Sequence, residues 1–425
     1  MILTVKVTNS LKGSVRLPSS KSYTIRSFIV ASCGGFSKII NPSLSDDVNV
    51  AIRVAEVLGA KVIRQKKNIW KVCSLVKKRR LSHVNVGESG TVLRFILPLV
   101  ALRQGKIKIL GEGTLKKRPN AHLTKILRKM GAQISGRGSK ETVPIKINGG
   151  QLKGGRFSID GSLSSQFISA LFIACPQLKE NTYLNLQGRL VSQTYVRMTE
   201  QILKKAGIHI ARHSQRNVYI KGGQKFKGLK NFTVPSDYGL AAFFLAAAAL
   251  VKSQITLKGF LNDDLTQADG KILFILRKMG VRFLKTNQSI KITGPFHLKG
   301  GNFSLADAPD LVPIVTILAL FAKGKTRLYD IAHVRAKESD RISDLRKELL
   351  KIGAKISETH NELVINPLPS YKQGILLNPH HDHRLAMSFC ILGLRLGAKI
   401  KDVECIDKSY PAFVRDFRSL RARAY

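Results

Sequence analysis

Residues 20–31 read SKSYTIRSFIVA: small polar residues and a lysine, then apolar residues at helical spacing. The pattern returns as SGTVLRFILPLVAL from Ser89, SSQFISALFIA from Ser164 and SDYGLAAFFLAAAAL from Ser236. It comes twice more, as PDLVPIVTILALFA from Pro309 and HDHRLAMSFCILGL from His381. Six starts at intervals of 69–75 residues mark an internal repeat, one supersecondary unit built six times. Roughly 40 residues after each of the first five starts comes an amphipathic helix end, a Gly and a short strand. These read EVLGAKV, ILRKMGAQI, LKKAGIHI, LRKMGVRF and LLKIGAKI. Their glycines, Gly59, Gly131, Gly207, Gly280 and Gly353, are expected just past the helix end in the left-handed conformation.

Each unit therefore reads as strand, buried helix, strand, amphipathic helix, strands. The first helices are apolar nearly all round and should be buried, while the second carry Lys and Arg on an outer face. After the sixth start only AFVRDFRSL remains, so the last unit lacks its final strands. The N-terminal strand Leu3 to Val7 is the natural substitute, which would bring both chain ends into one domain. Three units per domain give a first domain over 19–234 and a second over 235–425 plus 1–18. The chain would cross between them near Ser19 and near Pro235, and a double crossing is expected to act as a hinge.

Of 425 residues, 71 are Lys or Arg and 27 are Asp or Glu, a net charge of +44. With 44% apolar residues and ordinary Gly and Pro counts, the chain is neither disordered, collagen-like nor a disulfide scaffold. Cys33, Cys73, Cys175, Cys390 and Cys405 show no C-x-x-C pairing and are expected as reduced cytoplasmic thiols. The N-terminus alternates like a strand rather than a signal peptide, and the apolar stretch 240–251 is too short to span a bilayer. No membrane partner is expected. The basic residues are spread along the chain, densest at Lys77-Lys78-Arg79-Arg80 and then Lys116-Lys117-Arg118, without zinc-finger spacing or an aromatic RNA-binding signature. Compositional bias on solvated faces accounts for that spread. Specific nucleic-acid binding is not expected, though a basic surface attracts small anions and holds nucleic acid weakly at low salt.

The six helix starts carry the chemistry. Helix N-termini offer unpaired N–H groups and partial positive charge, which favour bound anions. Lys21, Ser22 and Arg26 lie at the first start, Gly90, Thr91 and Arg94 at the second, and Ser164, Ser165 and Gln166 at the third. Asp237 and Asp310 follow, then Asp382, His383 and Arg384. Capping alone explains the Ser, Thr and Asp residues. A cation opposes the dipole at an N-terminus, and an anion held between them resolves that conflict. HVRAKESDRISDLRKELL adds Lys337, Glu338, Asp340 and Arg341, otherwise an ordinary solvated helix start. KKRP, at 116–119, reads by itself as an exposed basic turn.

LPSSKSYTIR, GESGTVLRF, KRPNAHL, DGSLSSQF, VSQTY, APDLVP, RAKESDR, NPHHDHRLAM and DKSYP follow one another in this order. In them the chain resembles the 5-enolpyruvylshikimate-3-phosphate synthases along essentially its whole length. The resemblance implies an inside-out α/β barrel fold, two similar domains each of three βαβαββ-like units, closing upon substrates. The implied reaction moves the enolpyruvyl group of phosphoenolpyruvate to the 5-hydroxyl of shikimate 3-phosphate. It further implies that Lys21, Ser22, Arg26, Ser164, Ser165, Gln166, Ser192, Tyr195, Asp310 and Lys337 bind shikimate 3-phosphate. Lys21, Gly90, Arg118, Gln166, Arg341, Arg384 and Lys408 would meet phosphoenolpyruvate, with Asp310, Glu338 and Lys21 the acid and base. No cofactor or metal is expected, and a cytoplasmic monomer is. Glu88, Lys117 and His333 depart from the family pattern. The alternative within the fold, a UDP-N-acetylglucosamine enolpyruvyl transferase, expects a Cys near Lys116 to Asn120 and has Lys-Asn where this chain has Lys21-Ser22. The alternative of another class is a non-catalytic nucleic-acid-binding protein, against which Lys21, Asp310, Glu338, Arg341 and Arg384 argue.

Overall fold

The computed structural model describes residues 1–66, 68–74 and 81–425. The Lys77-Lys78-Arg79-Arg80 run lies outside the described residues. Two compact units form, Ser20–Val234 and Met1–Ser19 with Pro235–Tyr425. Among the described residues, twelve α-helices alternate between two kinds. They are α1 (Lys21–Ala31), α2 (Asp46–Val57), α3 (Gly90–Ala101), α4 (Ala121–Lys129), α5 (Ser165–Ala174) and α6 (Gln193–Lys205). The second unit holds α7 (Tyr238–Leu250), α8 (Lys271–Lys278), α9 (Val312–Leu320), α10 (Ser343–Leu350), α11 (His383–Leu396) and α12 (Phe413–Ser419).

The odd-numbered helices, which begin at the six repeat starts, are buried; every residue of α7 and α9 is. The even-numbered helices bury one stripe: α4 buries Leu123, Ile126 and Leu127 and ends on exposed Arg128 and Lys129. Phe243 and Phe244 of α7 meet Phe413 of α12 with ring centroids 6.2 and 5.7 Å apart. Each such buried ring contributes about 1.5–3 kcal/mol. Gly59, Gly131, Gly207, Gly280 and Gly353 all have φ between 81° and 106°. After α4, α6 and α8 the glycine lets the next N–H turn back to a carbonyl, as Ala132 does to Leu127 at 2.9 Å. Gly353 sits one position further from its helix cap, Lys351, than the other four do from theirs.

Within each unit the buried helices form the interior and the sheets lie outside them, the inside-out arrangement. The third repeat shows the plan. Its strands order as Gly155–Asp160, Thr182–Gln187, Asn217–Ile220, Ile210–Arg212. The first pair is parallel and bridged by α5; the others are antiparallel.

Two arrangements depart from a contiguous reading of the units. The strand Ser10–Arg16, which precedes α1, pairs in parallel with Lys252–Lys258 of the fourth repeat. The strand Lys230–Thr233, which precedes α7, pairs in parallel with Phe36–Ile40 of the first. The first and fourth repeats have exchanged their leading strands, because the chain passes between units after a strand and before its helix. In the sixth repeat the N-terminal strand, Ile2–Val5 rather than Leu3 to Val7, pairs antiparallel with Ala398–Lys401. The chain's last residues cover its other edge: Thr4 and Tyr425 exchange backbone hydrogen bonds at 2.9 and 2.8 Å. That pairing leaves no open strand edge there.

The five cysteines are free thiols. Among the described residues no helix is long and apolar enough to cross a membrane.

Candidate active site

In the unit Ser20–Val234, Ser20 caps α1 by accepting from the Tyr23 N–H, which sets Lys21 as the first helical residue. Lys21 Nζ lies 2.9 Å from Asp47 Oδ2, both largely buried. Asp47 was not read as a site residue; an acid in a helix's first turn satisfies the dipole by itself and hides a second role. Arg26 is buried, donating to Thr199 Oγ1 at 2.9 Å, the Ser22 carbonyl at 3.0 Å and the Tyr195 carbonyl at 3.1 Å. Phe95 and Tyr195 flank its guanidinium at 5.1 and 5.8 Å. Burial brings its pKa down to about 10, with Tyr195 and Tyr23 opposing, so it stays a cation at neutral pH.

Ser164 caps α5 and accepts from the Gln166 N–H. Gln166 Nε2 donates to Thr91 Oγ1 at 2.9 Å, and Gln166 Oε1 accepts from Arg94. The α3 and α5 starts are thereby tied together. Arg94 also holds the Pro119 carbonyl, so it positions the turn beside it. Ser192 precedes α6 with φ 54°, a left-handed non-glycine residue such as functional loops hold.

KKRP does not stay an exposed basic turn. Lys116 and Lys117 are exposed, but Arg118 is 5% exposed, and Asn120 anchors the turn by donating to the Arg118 and Glu141 carbonyls. The Arg118 guanidinium lies over Gly90: a Cβ there would stand 2.4 Å from Arg118 Nη1 and 2.7 Å from Cζ. Glu88 packs its carboxylate on Gly113, where a Cβ would meet Oε1 at 1.9 Å.

The other unit centres on Arg341, 1% exposed. Its Nε donates to Asp382 Oδ2 at 2.7 Å, Nη1 to Asp310 Oδ1 at 2.7 Å, and Nη2 to Glu338 Oε2 at 3.1 Å and Asp382 Oδ1 at 3.2 Å. The segment is thus no solvated helix start; α10 begins only at Ser343. Burial would lower the Arg341 pKa, but Asp382, Asp310 and Glu338 together hold it well above the ordinary value. Asp340 faces Arg335 at 2.8 Å and accepts from the Ile342 and Ser343 N–H groups, away from this cluster. Asp382 is fully buried, so it meets no anion; it caps α11 and grips Arg341. Asp237 is a cap, accepting from the Leu240 N–H.

Asp310 stands in the turn leading into α9, with Lys337 Nζ at 3.5 Å and Arg384 Nη2 at 3.4 Å besides Arg341. Burial would raise its pKa; Lys337, Arg384 and Arg341 overcome that and hold the carboxyl well below the usual range. Arg384 Nη1 donates to the Gly239 carbonyl at 2.8 Å, and a Cβ on Gly239 would stand 2.9 Å from it and 2.4 Å from Asp269 Oδ2. Gly239 and Asp269 were missed too, although SDYG repeats the small residue that SG places at the second start. Lys408 is buried. His333 is also buried, with Nε2 making no hydrogen bond among the described residues. Burial and then Lys337 push its pKa down to about 3, so it is neutral at physiological pH. Among the described residues no group of His, Cys, Asp and Glu could hold a metal ion.

The inside-out α/β fold of six units is the one found in enolpyruvyl transferases of known structure. The fold matches the EPSP synthase from Acinetobacter baumannii with a TM-score of 0.81 at 25% identity, covering 100% of this chain and 99% of that one. It also matches the fold of the enolpyruvyl transferase NikO from Streptomyces tendae, with a TM-score of 0.79 at 17% identity, over 100% of this chain and 98% of that one. The family model for EPSP synthase (3-phosphoshikimate 1-carboxyvinyltransferase) matches residues 5–417, and this chain belongs to that family. It is 37% identical to the 3-phosphoshikimate 1-carboxyvinyltransferase of Methanosarcina mazei, over 98% of this chain and 97% of that one. To that of Methanocaldococcus jannaschii it is 35% identical, over 99% and 98%.

Proposed function

We propose that this chain transfers the carboxyvinyl group of phosphoenolpyruvate to the 5-hydroxyl of shikimate 3-phosphate and releases phosphate. The observation that carries the reading is Asp310, a carboxylate kept ionised among Lys337, Arg341 and Arg384 at a helix start. The 5-hydroxyl gives its proton to Asp310 as its oxygen attacks C2 of phosphoenolpyruvate, while the C3 methylene takes a proton from Glu338 or Lys21. The tetrahedral intermediate then expels phosphate and returns a proton from C3, restoring the double bond. Ser164, Ser165 and Ser192 hold the substrate phosphate and Arg26 the ring carboxylate, with Ser22, Gln166, Tyr195 and Lys337 around the ring. Lys21, Gly90, Arg118, Gln166, Arg341, Arg384 and Lys408 receive phosphoenolpyruvate, whose phosphate and carboxylate match forked donors. The enzyme works as a cytoplasmic monomer without a cofactor. Mass spectrometry of the protein with both substrates should show the carboxyvinyl ether of shikimate 3-phosphate; recovery of both substrates unchanged would refute the reading.

Gly90 sharpens it. Its φ is outside the left-handed region, so alanine fits the backbone, and the methyl would displace the Arg118 guanidinium. Overpacking of this kind costs roughly 1–3 kcal/mol. Gly90→Ala should therefore lower Tm by a few degrees, raise KM for phosphoenolpyruvate about ten- to a hundredfold as Arg118 is displaced, weaken the phosphonate glyphosate further still, and leave shikimate 3-phosphate affinity nearly unchanged. Equal loss for both substrates in steady-state assays would count against this placement.

The passages of the chain near Ser19 and Pro235 act as a hinge, and anions that use cations of both units favour a closed form. Small-angle scattering should show compaction on saturation with shikimate 3-phosphate. An unchanged radius of gyration would remove the hinge from the proposal.

A further inference from the structure

In the sheet of the third repeat, one register row runs Arg156, Tyr183, Tyr219, Ala211 across all four strands. The alternating residues Leu184, Leu186, Val218 and Ile220 are buried in the core, so this row faces solvent. Tyr183 is 37% exposed. The Tyr183 and Tyr219 rings are 5.0 Å apart, the Arg156 guanidinium lies 4.6 Å from the Tyr183 ring, and the His213 ring lies 6.3 Å from Tyr219. Four flat groups thus lie side by side on the outer face of the sheet, with Tyr219 half-buried and its ring tilted 44° to those of Tyr183 and His213. In the adjoining row, Asn185 donates to Asn217 Oδ1 at 3.1 Å, which leaves further amide donor and acceptor capacity at the surface. Neither row contains an acidic residue.

We propose that this face binds single-stranded nucleic acid, with unpaired bases stacking on Tyr183 and Tyr219. A base presents a flat face that an exposed tyrosine can cover, and every base has one, so the binding is indifferent to sequence. Arg156 can stack and meet phosphate at once, and the asparagines can reach base edges. The chain's +44 charge supplies long-range attraction for a polyanion. A duplex shares the phosphates but hides its base faces, so the rings favour single strands. An acidic peptide would use the cations and leave the rings idle. None of these residues belongs to the transfer chemistry, so the proposal stands apart from the enzymatic reading.

Fluorescence anisotropy with labelled ten-nucleotide oligouridylate, oligodeoxythymidylate, a duplex and a polyglutamate peptide tests it, at about 0.15 M salt. Both single strands should bind more tightly than the duplex, whose weak binding should fall steeply as salt rises. Tighter binding of oligouridylate would assign RNA through its 2′-hydroxyl, and equal binding would assign the chemistry both strands share. Replacing both tyrosines by valine keeps strand preference and should weaken single-strand binding at least tenfold. The Tyr183→Phe, Tyr219→Phe pair should bind as the natural chain does. Unchanged enolpyruvyl transfer in both variants reports intact folding. Equal affinity for duplex and single strand, unaltered binding by the valine variant, or polyglutamate binding as tightly would each overturn the proposal.

Discussion

Replacing Asp310 by Asn should lower kcat about 10²–10⁴-fold, the range ordinarily lost with a general base. The substitution keeps the shape of the side chain and its contact with Arg341 while removing the proton acceptor. KM for shikimate 3-phosphate should change little, and Tm should stay within a few degrees, since Arg341 keeps Asp382 and Glu338. A purely structural Asp310 would reverse that pattern, lowering Tm and raising KM while sparing kcat. The carboxyl's depressed pKa also carries a pH signature. Its contribution to stability is present above the unfolded value, about 3.9, and is lost only as pH falls through the lower folded value. Asp310 is therefore ionised throughout pH 5–8, and the wild-type rate should show no inflection there from it.

Arg341→Ala should be the most damaging substitution for folding. Asp310, Glu338 and Asp382 all bond to this guanidinium, and Asp382 is wholly buried. Removing one partner of a buried ionic network typically costs about 3–5 kcal/mol, because the charges left behind stay buried. For units of this size that corresponds to a fall in Tm of roughly 10 °C. The three carboxylates would then face one another, and Asp310 would lose one of the three cations that hold its pKa down. The variant has less of the Asp310 contribution to lose at low pH, so its deficit against the natural chain should shrink as pH falls through the depressed Asp310 value. Calorimetry at several pH values checks both parts. A deficit of under 1 kcal/mol, or one that does not vary with pH, would show that Arg341 is not the centre of the cluster.

Periodicity made the helices legible, because burial of a whole helix leaves a continuous apolar run and a glycine at its end leaves a letter. The N-terminal strand's place in the sixth sheet followed from a missing element, which is also a property of the pattern. The exchange of leading strands was not legible: Ser10–Arg16 and Lys230–Thr233 are short and carry few apolar residues, and parallel pairing is set by partners far along the chain. Ion pairs were hidden for a related reason. Asp47, Asp382 and Asp269 each sit where a helix start would accept an acid for its own sake, so their ion pairs with Lys21, Arg341 and Arg384 left no separate trace. The short KKRP turn misled in the opposite direction. Its two lysines are solvated, but the Pro119 and Asn120 that follow fold Arg118 back over Gly90, and charge density alone does not separate the three.

The most direct measurement is phosphate release from phosphoenolpyruvate with two acceptors offered separately, shikimate 3-phosphate and UDP-N-acetylglucosamine. Stoichiometric release of phosphate with shikimate 3-phosphate, and none above background with the sugar nucleotide, is the result expected of these residues. Release with UDP-N-acetylglucosamine alone would contradict the assignment of Ser164, Ser165, Ser192 and Arg26 to the shikimate 3-phosphate site, and with it the account of this enzyme.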